Sequence, residues 1–108
     1  MLKKQYVKSR DVYKVTFRLA KHEQPDMEID SVHLVGDFND WSRTSTPMKA
    51  LKNGDFKVIR DLEPGQNYEF RYLINNKVWY NEWEADEYIL GHFGKDNCVI
   101  EIPEAPQQ

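Results

Sequence analysis

Apolar and polar positions alternate with a period of two through much of the chain. Tyr13, Val15, Phe17 and Leu19 are separated by Lys14, Thr16 and Arg18. This is the pattern of a strand that buries one face and leaves the other in water. Ser31 to Gly36 reads as a second strand. Phe56, Val58 and Leu62, set against Lys57 and Asp61, read as a third. Tyr68, Phe70, Tyr72 and Ile74 share one face of a fourth, with Glu69, Arg71 and Leu73 on the other. Val78-Trp79-Tyr80 is a short fifth strand, and Asn97 to Ile102 a sixth, closed by Pro103. Pairing of Asp86 to Leu90 would add a seventh. Between these runs lie Pro25 with its charged neighbours, the polar stretch Asp37 to Met48, Asn53-Gly54, Glu63-Pro64-Gly65 and Asn75-Asn76. All are turn or loop chemistry. No segment keeps a helical period for three turns, although Asn81 to Tyr88 has room for one helical turn. Short strands with turns at roughly ten-residue intervals predict an all-β antiparallel sandwich of about six to eight strands. Its core is expected from Tyr13, Val15, Phe17, Val32, Leu34, Phe56, Val58, Tyr68, Phe70, Tyr72, Ile100 and Ile102.

The chain has 108 residues, enough for one domain. Aromatic residues make up 13% of it, which argues for a packed core rather than a disordered tail. A formal charge of −3 disfavours a nucleic-acid partner, whose footprint is a basic face. The one basic run, Lys3, Lys4, Lys8 and Arg10, reads as a solvated N-terminal arm over residues 1–11. The domain is then expected over 12–102, with a frayed tail over 103–108. No apolar run is long enough to span a membrane or to act as a secretory signal. Cys98, the single cysteine, has no partner for an internal disulfide, so a reducing, cytoplasmic compartment is expected.

Catalytic signatures are sparse. His22, His33 and His92 are not spaced as zinc ligands on a helix, and no nucleophile elbow, phosphate loop or dinucleotide fingerprint occurs. Gly91-His92-Phe93-Gly94 has the outline of a nucleic-acid-binding loop but lacks the basic surroundings. Glu82, Glu84, Asp86 and Glu87 match no cation loop and read as a solvated acidic segment. Cys98 reads as an inert thiol in a strand. No cofactor is expected.

The tryptophans stand apart from the strand alternation. Trp41 lies in the polar run Asp37-Phe38-Asn39-Asp40-Trp41-Ser42, Trp79 just after a turn, and Trp83 among the acidic residues. An indole face beside amide and charged groups suits a sugar ring, whose C–H groups pack on the ring while its hydroxyls take hydrogen bonds. For Trp41 and Trp79 this reading and a role as a plug at the end of the sandwich both stay open. For Trp83 the plug is favoured. Asn39, a short amide in a turn, is expected to bond nearby backbone.

Val32-His33-Leu34-Val35-Gly36-Asp37-Phe38-Asn39-Asp40-Trp41 resembles the G-x-F-N-x-W segment of the family-48 carbohydrate-binding modules. These are the early-set domains that precede the catalytic barrel of isoamylases and branching enzymes, and they are similar to the glycogen-binding domain of the AMP-activated protein kinase beta subunit. Leu62-Glu63-Pro64-Gly65 resembles the family's L-x-x-G turn. Tyr68-Glu69-Phe70 with Asn75-Asn76 and Trp79 resembles its Y-x-F hairpin. Gly94-Lys95-Asp96-Asn97-Cys98-Val99-Ile100 resembles its G-x-x-N entry to the last strand. The resemblance implies an immunoglobulin-like sandwich that binds α-1,4-glucan, such as glycogen or a maltooligosaccharide. It places Trp41 and Trp79 against glucose rings, with Arg71 in the place of a family lysine, Phe93 in that of a leucine, and Asn97 in that of the loop asparagine. The family's chemistry lies in the barrel, so the implied module is non-catalytic. Two further readings are an early-set domain that docks onto a glycogen-metabolising enzyme, and an accessory domain of a family-13 glycoside hydrolase.

Overall fold

The computed structural model describes residues 1–90 and 96–106. Two antiparallel sheets face each other, as the alternation requires. The first sheet has the order β1-β2-β5-β4, built from β1 (Leu2–Val7), β2 (Val12–Leu19), β5 (Phe56–Leu62) and β4 (Lys49–Ala50). The second has the order β3-β6-β9-β8, from β3 (Val32–Gly36), β6 (Asn67–Ile74), β9 (Asp96–Glu101) and β8 (Glu87–Leu90). A short strand, β7 (Val78–Tyr80), also pairs with β6. Among the described residues no helix is long and apolar enough to cross a membrane.

The expected core residues meet between the sheets. Phe17 from the first sheet packs edge-on against Phe70 from the second, with ring centroids 5.2 Å apart. Phe70 in turn packs edge-on against Tyr72 at 5.9 Å. Each such side chain, fully buried, contributes about 1.5–3 kcal/mol. Val58 and Tyr68 pack at the margin of this cluster, half-buried. The β6–β7 turn runs through Asn75 and Asn76, both left-handed at φ 54° and 60°, the conformation a tight hairpin demands.

Several sequence expectations change. The basic segment is not a solvated arm: Leu2–Val7 pairs with β2 along its whole length. Leu2 and Tyr6 pack on the core. Lys4, between them, reaches the Asp86 carboxylate and the Glu101 carbonyl, both at 2.7 Å. With β1 and the two-residue β4, the described strands number nine. The acidic segment is not wholly solvated either, because Glu82 is 1% exposed. Its carboxylate accepts the Tyr72 hydroxyl at 2.8 Å, the Glu84 N–H at 2.9 Å and the N-terminal ammonium. A buried carboxylate survives only with partners of this kind. The space allowed for a helical turn holds a non-helical turn leading into β8. Finally, His33 belongs to β3 and is half-buried, with no hydrogen-bond partner among the described residues for its buried Nδ1.

Candidate functional site

The side chains that face away from the core on the second sheet follow from strand parity, since opposed residues in antiparallel strands point to one side. Phe70, Tyr72 and Ile74 point inward, so Glu69, Arg71 and Leu73 point outward. Leu73 stands between His33 of β3 and Trp79 of β7, and Arg71 stands opposite Val35. Cys98 is inward, which puts Asn97 and Val99 on the outer face. Val35, Leu73 and Val99 are nevertheless buried, so this face carries an apolar layer of its own beneath its polar side chains.

Trp41 arrives from the loop after β3. Gly36 begins that loop, and only glycine fits there: a Cβ would lie 2.5 Å from the Glu69 carbonyl oxygen and 2.8 Å from the Phe70 Cβ. Asn39 then closes the turn. Its Oδ1 accepts the Gly36 N–H at 3.0 Å, and its Nδ2 donates to the Leu34 carbonyl at 2.8 Å and the Thr46 hydroxyl at 2.9 Å. The structural role expected of this amide is the one it has. Asp40 and Trp41 both adopt left-handed backbone, at φ 55° and 57°, a conformation costly for residues with a side chain. The Trp41 N–H donates to the Gly36 carbonyl at 2.9 Å. The indole is 37% exposed, and its Nε1–H donates to Asp37 at 3.1 Å.

Trp79 is half-buried, and two guanidinium groups lie over its ring. Arg71 is 5.8 Å from the ring centroid and Arg43 is 5.4 Å from it, within the range of cation–π attraction. Arg71 also donates from Nε to the Asp96 carbonyl at 3.1 Å, which takes the Asn81 amide as well at 3.1 Å. Asn97 donates to the Glu69 carboxylate at 3.0 Å. The structure therefore gathers Arg71, Trp79 and Asn97 about the outer face of one sheet, with Trp41 tethered at its margin. Phe93 lies outside the described residues. Arg43 was not singled out from the sequence, because one charged residue in a polar loop carries no periodic signal. Trp83, at 59% exposed, is more open to solvent than Trp41 and is not a plug.

Among the described residues no three His, Cys, Asp or Glu side chains form a metal-holding group. Burial pushes the Cys98 thiol up to about 11, which leaves it protonated and a poor nucleophile near neutral pH. The face instead offers indole surface, guanidinium donors and amides.

No match was found among curated proteins. The family model described as the glycogen recognition site of AMP-activated protein kinase matches residues 26–108, a span that holds β3 to β9 and every residue of this face. The chain belongs to that family of carbohydrate-binding modules.

Proposed function

We propose that this chain is a non-catalytic module for α-1,4-glucan, and that the polymer lies along the outer face of the second sheet. Glucose rings pack on Trp41 and Trp79, while Arg71 and Asn97 donate to hydroxyls. One observation carries this reading. The loop that presents Trp41 also lays Arg43 over Trp79, which supports a shared surface for the two indoles. The Asp37 tether attaches Trp41 at Glu69, four residues of β6 from Leu73 and the Trp79 row, or about 13 Å along an extended strand. That spacing suits an elongated ligand on an open surface better than a single sugar in a pocket. Aromatic anchors supply most of the energy at such surfaces.

Electrophoresis through a gel containing glycogen tests the proposal. The protein is expected to be retarded, and the double variant Trp41→Ala, Trp79→Ala to run as in a glycogen-free gel. Equal mobility of the native protein with and without glycogen would overturn it.

A further inference from the structure

We propose that Arg43 and Arg71 form an anion subsite beside Trp79 that takes a phosphate monoester carried on the glucan. The proposal deepens the glucan reading and rests on it. Both guanidinium carbons lie within 5.8 Å of one ring centroid, so they flank one indole and stand no more than about 11 Å apart, near the reach of one Debye length. Like charges within about a Debye length repel one another unless a counter-charge offsets them. Arg18 and Arg10 have carboxylate partners at 2.6 and 2.8 Å, but among the described residues neither Arg43 nor Arg71 has one.

Two carboxylates at this face are otherwise engaged. Glu69 accepts from Asn97. Asp37 accepts from the Trp41 indole through one oxygen and from the Glu69 N–H through the other. Among the described residues Arg71 bonds only through Nε, to the Asp96 carbonyl, and its terminal nitrogens bond to none of them. Arg43 is exposed, and its one described interaction is with the ring. A neutral glucan offers these groups only hydroxyls. A phosphate monoester offers up to two negative charges and acceptor oxygens matched to the guanidinium fork. The indole excludes water from the side of each guanidinium that faces it, which strengthens the attraction.

The test is calorimetric titration at low salt with three probes: a linear maltooligosaccharide, the same oligosaccharide carrying one phosphate monoester, and inorganic phosphate. The phosphorylated chain is expected to bind about tenfold more tightly than the neutral one. That gain is expected to vanish in Arg43→Gln and to shrink as salt is raised. Equal affinity for the two oligosaccharides overturns the subsite, as does a gain that survives Arg43→Gln. Inorganic phosphate binding as tightly as the phosphorylated chain overturns the assignment to a sugar ester. Failure of both oligosaccharides to bind overturns the glucan reading and the subsite with it. A neutral chain that binds without any gain from phosphate overturns the subsite alone.

Discussion

Asp37 fastens Trp41 to the second sheet. One carboxylate oxygen accepts the indole Nε1–H at 3.1 Å, and the other accepts the Glu69 N–H of β6 at 2.8 Å. The ring of an otherwise polar loop thus takes its position from a strand. A rigidly held aromatic loses little freedom when a ligand settles on it.

Trp41→Ala and Trp79→Ala are each expected to weaken glycogen binding by about 2 kcal/mol or more. Trp83→Ala is expected to do less, although Trp83 is the more exposed residue, because it lies outside the Asp37, Glu69 and Arg71 group. Binding isotherms on the three variants decide this. A larger loss at Trp83 than at Trp41 would move the site elsewhere.

Asn39→Ala removes one acceptor and two donor contacts from the turn that carries Trp41. The Leu34 carbonyl, the Gly36 N–H and the Thr46 hydroxyl then lack their partner. A loss of about 1–3 kcal/mol in unfolding free energy is expected by denaturant titration. An unchanged midpoint with binding abolished would make Asn39 a ligand contact instead.

Much of this was legible in the chain. The alternation in β2, β5 and β6 placed the core because each strand has one face on it. Asn75-Asn76 and Glu63-Pro64-Gly65 marked turns because their chemistry suits positive φ, seen at 54°, 60° and, for Gly65, 74°. β1 was hidden by Lys4, a charged residue at an inward position whose ammonium escapes to Asp86 at the edge of the core. Val35 and Leu73 were hidden for the opposite reason. They occupy outward positions yet are buried, and a period-two rule assigns such positions to solvent. Glu82 belonged to a run of acids whose composition says water. Its burial depends on Tyr72 and Cys98, which approach only through the fold. Of the candidate site, the indoles were visible as aromatics out of register. Arg43 was not, since its contact with Trp79 joins residues far apart in sequence.

Asp55 predicts a response to acid. Its carboxylate accepts the Lys21 N–H at 2.9 Å and two bonds from Arg18 at 2.9 and 2.6 Å. The Lys21 N–H first, and Arg18 next, hold its pKa below the usual 3.8. A depressed carboxyl stabilises the fold above its unfolded pKa, and that contribution fades as pH falls through the lower folded value. Stability should therefore decline below about pH 4, and Asp55→Asn should flatten that decline. Thermal midpoints from pH 5 down to pH 2 are the measurement, and parallel curves for the two proteins would refute it.

Cys98 predicts silence. Burial raises its thiol from 9.0 to about 11, so the native protein should resist alkylation at pH 8 and react fully once denatured. The raised value also works against the fold in alkali. The unfolded chain releases this proton first, so the stabilisation present below pH 9 is lost as pH rises towards 11. Rapid labelling of the folded protein would place the thiol at the surface.

The family match begins at residue 26, whereas β2 ends at Leu19. β2 nonetheless lies at the heart of the first sheet, between β1 and β5, and lends Tyr13, Val15, Phe17 and Leu19 to the core. The stretch that sequence comparison recognises is thus smaller than the unit that folds. A polypeptide cut at residue 26 would bare the whole hydrogen-bonding edge of β5 that β2 covers, and Phe56, Val58 and Leu62 would lose their neighbours Leu19, Phe17 and Tyr13. An open, apolar strand edge is a template for other chains. Such a fragment is expected to self-associate rather than stand as a smaller sugar-binding module.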